Sequence, residues 1–263
     1  MILETFKRFV RGATIESGKE KELQTLDFVS VPDTTIEGDP AESDCSDLVA
    51  SDTIALEIDR GDRGLFVYAR TQDDLSVLRE ELLALEYIPT MVLGKLTRSR
   101  HFGYQTGQSD RPDTCGEVPL NNQRLRDALG DAAILAAEVY AKHFPEQYEQ
   151  HCKEAEAIKP QWKFPYTPFT NGIINRDNAL RYHRDQGNYD GALTCTINLR
   201  EGAEGGFLAL PALNTAIDCA DSTVTVFDGA RLCHGVTPIQ LQHSGAYRLS
   251  VLFYTLKSLW RCE

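Results

Sequence analysis

From Thr170 to the C-terminus the chain is cut into short segments that alternate apolar and polar residues between Gly-, Pro- and Asn-rich turns: NGIINR, LRYHRD, ALTCTINL, GGFLALP, TAIDC, STVTVFDG, LCHGVTPI and YRLSVLFYTL. Segments this short bury their apolar sides only by pairing with one another, which predicts a double-stranded β-helix of the jelly-roll or cupin kind. Upstream, IALEID and GLFVYA read as a strand pair around Gly61-Asp62-Arg63-Gly64. Helical periodicity follows. Thr71 is expected to cap a helix whose Leu75, Leu78, Leu82 and Leu85 share one face, and two more helices are expected over residues 121–144 and 145–158. The fold class that follows is α+β, a jelly roll braced by N-terminal helices. One domain is expected over residues 53–263, with strands and helices over 53–160 and the jelly-roll core over 161–263.

The polar residues on those strands are of a particular kind. His183 and Asp185 are two apart, so in extended backbone they project to one side while Arg184 turns away. His234 follows Asp185 by 49 residues, room enough for several short strands to return it to the same place. Two imidazoles and one carboxylate are the donors of a mononuclear non-haem iron(II) site with open positions. His-x-Asp alone is a weak signal, and zinc takes the same ligand types. What favours iron is Arg248, 14 residues beyond His234, with Ser250 facing the same way. A buried guanidinium there can hold the far end of a dicarboxylate through paired charge-assisted bonds, which outlines a pocket for 2-oxoglutarate, with oxygen as the other cosubstrate.

Charge and cysteine content place limits on the rest. The net charge is −12, yet residues 160–263 hold nine Lys/Arg against nine Asp/Glu, whereas residues 12–60 hold three against thirteen. The acidity is an N-terminal property, and residues 1–52, with TTIEGDPAESDCSDLVASD, read as a partly flexible solvated arm. Lys95, Arg98, Arg100 and His101 form the densest basic cluster, on what reads as a loop; with Lys163 and Arg181 they would make a phosphate-tracking rim, and Tyr104 could stack. No apolar run approaches the roughly 18 residues of a membrane span. The seven cysteines are scattered without a C-x-x-C pair, which suggests reduced thiols in a cytosol-like compartment rather than a disulfide framework. Cys233, beside His234, reads as a small apolar filler.

Residues 169–262, with FTNGIIN, YHRDQGN, EGGFLALP, FDGARLCHGVTPI and YRLSVLFYTLKSLWRC, resemble the iron(II)/2-oxoglutarate dioxygenases of the TET/JBP family, nearest in style to the thymine-hydroxylase module of base-J-binding proteins and phage relatives. The resemblance implies that His183, Asp185 and His234 bind iron, and that Arg248 and Ser250 bind the distal carboxylate of 2-oxoglutarate. It also implies that Asn188 and Tyr254 contact a 5-methylpyrimidine base taken out of DNA. Where 5-methylcytosine oxidases of the family carry a His two residues after that Tyr, this chain has Leu256, which tilts the expected substrate toward thymine. A small-molecule hydroxylase and a non-catalytic cupin-like module are the other classes this constellation admits. Asn175, Asn178 and Tyr182 are further polar residues near the triad that could reach the cosubstrate or base.

Overall fold

The computed structural model describes residues 38–41, 44–45, 47–49, 54–58, 64–92, 94–106, 115–213 and 215–262. Its strands are β1 (Asp47–Val49), β2 (Ile54–Ile58), β3 (Gly64–Arg70), β4 (Pro89–Val92), β5 (Lys95–Thr106), β6 (Cys115–Glu117), β7 (Asn171–Arg176) and β8 (Leu180–His183). They continue as β9 (Thr194–Glu201), β10 (Ala203–Gly205), β11 (Leu208–Leu210), β12 (Thr215–Ile217), β13 (Thr223–Phe227), β14 (His234–Val236), β15 (Ile239–Leu241) and β16 (Tyr247–Tyr254). Among the described residues three α-helices interrupt them: α1 (Ser76–Ala84), α2 (Gln123–His143) and α3 (Pro145–Ala155). The major sheet runs β2-β3-β13-β9-β16-β7-β5-β4, with β6 on β5; the minor sheet runs β1-β12-β11-β14-β8. These two sheets form the double-stranded β-helix, and every strand segment expected from Thr170 onward is present.

The alternation of β16 and β9 explains how the major sheet serves two masters. Leu249, Val251 and Phe253 on β16, and Cys195, Ile197 and Leu199 on β9, are fully buried against the helical layer, where Leu125, Leu129 and Tyr140 of α2 meet them. Each such side chain contributes about 1.5–3 kcal/mol by leaving water. Most of the intervening residues, which point the other way into the barrel, are polar: Arg248 and Ser250 of β16 and Asn198 of β9 are buried there, with Thr223 and Thr225 of the neighbouring β13. Register sets them side by side, with Arg248 opposite Arg200, Ser250 opposite Asn198 and Asn175, and Thr223 opposite Asn198. A polar barrel floor of this extent costs desolvation and suits a polar guest.

Helix α2 starts where Asn122 accepts a hydrogen bond from Leu125 N at 3.0 Å, and it carries Lys142 and His143 in its last turn, favourable against the helix dipole. Pro145 then opens α3. The capping role expected of Thr71 falls elsewhere. Thr71 Oγ1 accepts from Asp73 N in the preceding turn, whereas Asp74 Oδ1 accepts from Ser76 N at the start of α1.

Three more expectations need correction. Lys95, Arg98, Arg100 and His101 lie on β5, a strand paired with β4 and β7, because a run of alternating residues finds two partners there. The acidic segment does not stay apart beyond Gly38: Asp39 pairs with Lys95 at 2.9 Å and Arg181 at 3.3 Å, Tyr182 Oη donates to Asp44 Oδ2, and β1 lies parallel to β12. Residues 1–37, and with them most of the expected arm, are outside the described residues, as is the turn at Gly61-Asp62-Arg63. Finally, Cys115 and Cys262 are disulfide-bonded with Cα atoms 5.6 Å apart, a pairing across 147 residues that scattered spacing conceals. Cys152, Cys195 and Cys219 are free thiols. Among the described residues no helix is long and apolar enough to cross a membrane.

Candidate metal centre and cosubstrate pocket

His183 ends β8 and His234 begins β14, and the two strands are antiparallel neighbours with these residues directly opposite. That register places their rings 4.3 Å apart. Asp185 lies just past the end of β8 instead of on it, held by its own N–H donating to Gly229 O at 2.8 Å. The donor atoms of His183, Asp185 and His234 all lie within 4.8 Å of one another. The two imidazole Nε2 atoms are 3.7 and 3.8 Å from the same carboxylate oxygen, Asp185 Oδ1.

The tautomer question is answered by the backbone. His183 Nδ1 donates to Arg181 O at 2.8 Å and His234 Nδ1 to Leu232 O at 2.9 Å, so both rings keep Nε2 as a free lone pair aimed at Asp185. Burial pushes the His234 imidazole below its ordinary pKa, with the Asp185 carboxylate opposing, and this favours the neutral ring that a metal needs. Phe227 closes one side, edge-on to His234 at 4.9 Å. Two oriented imidazoles and one carboxylate fit a divalent iron with positions left open.

Arg248 is buried in the barrel on β16, and its Nε has no hydrogen-bond partner among the described residues. Its backbone is fixed from both sides by Asp177, which accepts from Arg248 N at 2.8 Å and donates its own N–H to Arg248 O. The guanidinium stem runs over Gly206, where a Cβ would stand 2.6 Å from Arg248 Cδ. A buried guanidinium with an unused donor, next to Ser250 on the same strand face, fits the distal carboxylate of 2-oxoglutarate.

The remaining expected residues divide. Tyr254 is half-buried at the far end of β16, and its phenol is pushed up to about 12 by burial and, to a smaller extent, by the Asp185 charge. Asn188 is buried, and its Nδ2 donates to Asp185 Oδ2 at 3.3 Å and Thr194 Oγ1 at 3.2 Å. Ser250 sits between Asn175 and Asn198 on the floor. Asn175 and Asn178 serve architecture: Asn178 brackets Arg98 N and O of β5 and donates to Asn175 Oδ1. Tyr182 alternates away from His183 into a cluster with Cys45, Ala209 and Ala216. Sequence reasoning overlooked Thr194 and Asn198. Their signal was the polar set at 194, 196, 198 and 200, every second residue of a strand whose other residues are apolar.

The basic rim is smaller than the residue types suggested. Asp39 pairs with both Lys95 and Arg181 and offsets one of their two charges, Lys163 Nζ donates to Ala155 O, and Arg100 reaches Pro119 O. Arg98 is exposed, on the face of the β4–β5 pair that also exposes Met91 and Leu96.

With this geometry in hand, comparison with known proteins is informative. A family model, Tet_JBP, described as the oxygenase domain of the 2OGFeDO superfamily, matches residues 103–257. The bifunctional helicase and thymine dioxygenase JBP2 of Trypanosoma brucei brucei (strain 927/4 GUTat10.1) is 24% identical over 220 residues, covering 79% of this chain and 20% of that protein. The chain therefore spans a fifth of the length of that curated relative. Among solved structures, NgTET1 in complex with 5mC DNA superposes with a TM-score of 0.58 at 11% identity, covering 78% of this chain and 77% of that one. An oxidoreductase of the 2OG-Fe(II) oxygenase family from Burkholderia pseudomallei gives a TM-score of 0.48 at 17% identity, covering 69% and 79%.

Proposed function

Because this chain belongs to the Tet_JBP oxygenase family of the 2OGFeDO superfamily, and is thus a 2-oxoglutarate-dependent dioxygenase, we propose that it hydroxylates the 5-methyl group of thymine in DNA to give 5-hydroxymethyluracil. Iron(II) bound with 2-oxoglutarate and oxygen supplies the power to hydroxylate an unactivated C–H bond. The protein's residues supply the rest. His183, Asp185 and His234 hold the metal on one side, and Arg248 with Ser250 anchors the ketoacid by its distal carboxylate. Tyr254, at the end of the strand that carries Arg248 and Ser250, offers an aromatic face for a base rotated out of the duplex, a rotation that costs a few kcal/mol. Holding one methyl group against the reacting centre is where rate and selectivity arise.

The observation that carries the choice of thymine is the state of Asn188. The amide nitrogen is turned into the protein, toward Asp185 and Thr194, which leaves the carbonyl oxygen, an acceptor, as the group turned the other way for a base. Thymine presents an N3–H to such an acceptor; cytosine presents a lone pair there. Leu256, half-buried against the Gly187-Asn188 turn, adds no polar group that would reverse this preference. The JBP2 relative carries thymine dioxygenase in its name, which supports the same reading.

The test is nucleoside mass spectrometry after incubation with iron(II) and 2-oxoglutarate, using thymine-only and 5-methylcytosine-containing duplexes side by side. 5-Hydroxymethyluracil in both is the expected result. 5-Hydroxymethylcytosine as the main product transfers the assignment to 5-methylcytosine. Succinate release with unmodified DNA transfers it to a small molecule, as the acidic net charge would suit.

A further inference from the structure

We propose that Gly229, Thr194 and Asn188 form a cradle that commits Oδ2 of Asp185 to the protein, so that the carboxylate can serve a metal through Oδ1 alone. The inference rests on the reading of His183, Asp185 and His234 as the metal site. It assigns a role to Gly229 and Thr194, which the reaction itself does not use, and a second role to Asn188.

The two oxygens of Asp185 have different surroundings. Oδ1 faces both imidazole Nε2 atoms, at 3.7 and 3.8 Å. Oδ2 faces Thr194 Oγ1 at 3.4 Å and Asn188 Nδ2 at 3.3 Å, and Asn188 Nδ2 also donates to Thr194 Oγ1 at 3.2 Å, closing a triangle. Gly229 forms the back wall. A Cβ added there would stand 2.3 Å from Asp185 Oδ2, 3.2 Å from its Cγ and 3.1 Å from Thr194 Oγ1, so only glycine lets the carboxylate lie back this far. The same glycine's carbonyl accepts Asp185 N–H, which ties the backbone to the wall the side chain leans on.

The contacts to Oδ2, at 3.3 and 3.4 Å, are longer than ordinary hydrogen bonds, so each is weak, and the cradle works through their sum with the steric wall. Its consequence is coordination number. A carboxylate that turned to chelate through both oxygens would occupy an additional position, one that a two-point cosubstrate and oxygen need. Partners of a ligand's unused atoms orient it, and removing one typically weakens metal binding 10- to 100-fold.

The experiment is isothermal titration of the cosubstrate-free protein with manganese(II), which reads affinity without any turnover. Asn188→Ala and Thr194→Val are each expected to weaken binding by about tenfold, and Gly229→Ala by more, as it drives a methyl group into the carboxylate. The Asn188→Ala/Thr194→Val pair should lose less than the product of the singles, because both act on one oxygen. Thr194→Ser, which keeps the hydroxyl, should bind like the unmodified protein, a rescue that a role in packing would not produce. Affinities within about twofold of the unmodified protein for Thr194→Val and Asn188→Ala overturn the cradle, and this comparison stands even if Gly229→Ala does not fold. Failure of the unmodified protein itself to bind manganese(II) overturns the metal-site reading, and the cradle with it.

Discussion

Replacing Arg248 by Met should move stability and cosubstrate binding in opposite directions. Arg248 is only 4% exposed, stands opposite Arg200 in the β9–β16 register, and has no carboxylate against it among the described residues. A buried guanidinium in that position is a cost that the fold bears until a dicarboxylate arrives. Exchanging such a charge for an apolar side chain of similar volume is typically neutral or stabilising by about 1–4 kcal/mol. The ligand-free melting temperature of Arg248→Met should therefore stay level or rise. Cosubstrate binding responds the other way. Two charge-assisted bonds at about 1.5–3 kcal/mol each are lost, which is roughly two to four orders of magnitude in affinity. In the unmodified protein, manganese(II) with 2-oxoglutarate at about 100 times its Kd should add roughly 2.7 kcal/mol, a rise of about 5–11 °C for a domain of this size. At that same concentration the variant should gain no more than about 0.4 kcal/mol, near 1 °C. Differential scanning fluorimetry reads both numbers in one experiment. A 2-oxoglutarate shift that survives in Arg248→Met, or a ligand-free melting temperature that falls by more than about 5 °C, refutes the assignment of Arg248 to the cosubstrate.

Other outcomes follow from the same structure. Buried His151, with Nε2 on Thr255 Oγ1, has its pKa pushed down to about 3 by desolvation, against about 6.5 in an unfolded chain. The unfolded state alone binds that proton between these values, so stability falls as pH drops below about 6.5 and levels off near 3, by up to roughly 1.4 kcal/mol per pH unit. Denaturant titrations of His151→Gln should show a correspondingly flatter acid limb, and an unchanged slope contradicts the burial argument. Alkylation of the unfolded, unreduced protein should label five cysteines, rising to seven after reduction, and Cys115→Ser should lower stability by a few kcal/mol, as expected for opening a long loop. Seven labels without reductant would remove the crosslink. Arg98→Ala should weaken DNA binding uniformly across sequences and reduce the salt slope by about one phosphate contact. Filter binding at several salt concentrations that finds no change would take the β4–β5 face out of the DNA interface.

Much of the fold was legible because strand alternation is a local property. The period-two pattern of YRLSVLFY states which residues of β16 face helices and which face the barrel, and it brought Arg248, Ser250 and Tyr254 to one side without reference to any other strand. Asp185 shows the limit of that logic. It reached the right place, yet from a loop end fixed by Gly229, and the alternation that predicted its direction stops at His183. The basic cluster shows a second limit. Residue types announce charge, but only the packed chain reveals that Asp39, more than 50 positions away, pairs with both Lys95 and Arg181.

What the sequence by itself determined is the set of side chains and the period that aims them: two imidazoles, a carboxylate and a downstream arginine on short alternating strands, enough for a jelly roll with a metal-binding interior. Tertiary structure alone decided how each of these groups is partnered. That Asn188 turns its amide nitrogen toward Asp185 and Thr194, that Gly229 backs one carboxylate oxygen, and that Cys115 meets Cys262 all depend on contacts between segments whose separation in the chain carries no information about their distance. Side-chain direction follows from backbone stereochemistry within a few residues, whereas hydrogen-bond partners follow from where the sheets close, and closure is a property of the whole chain.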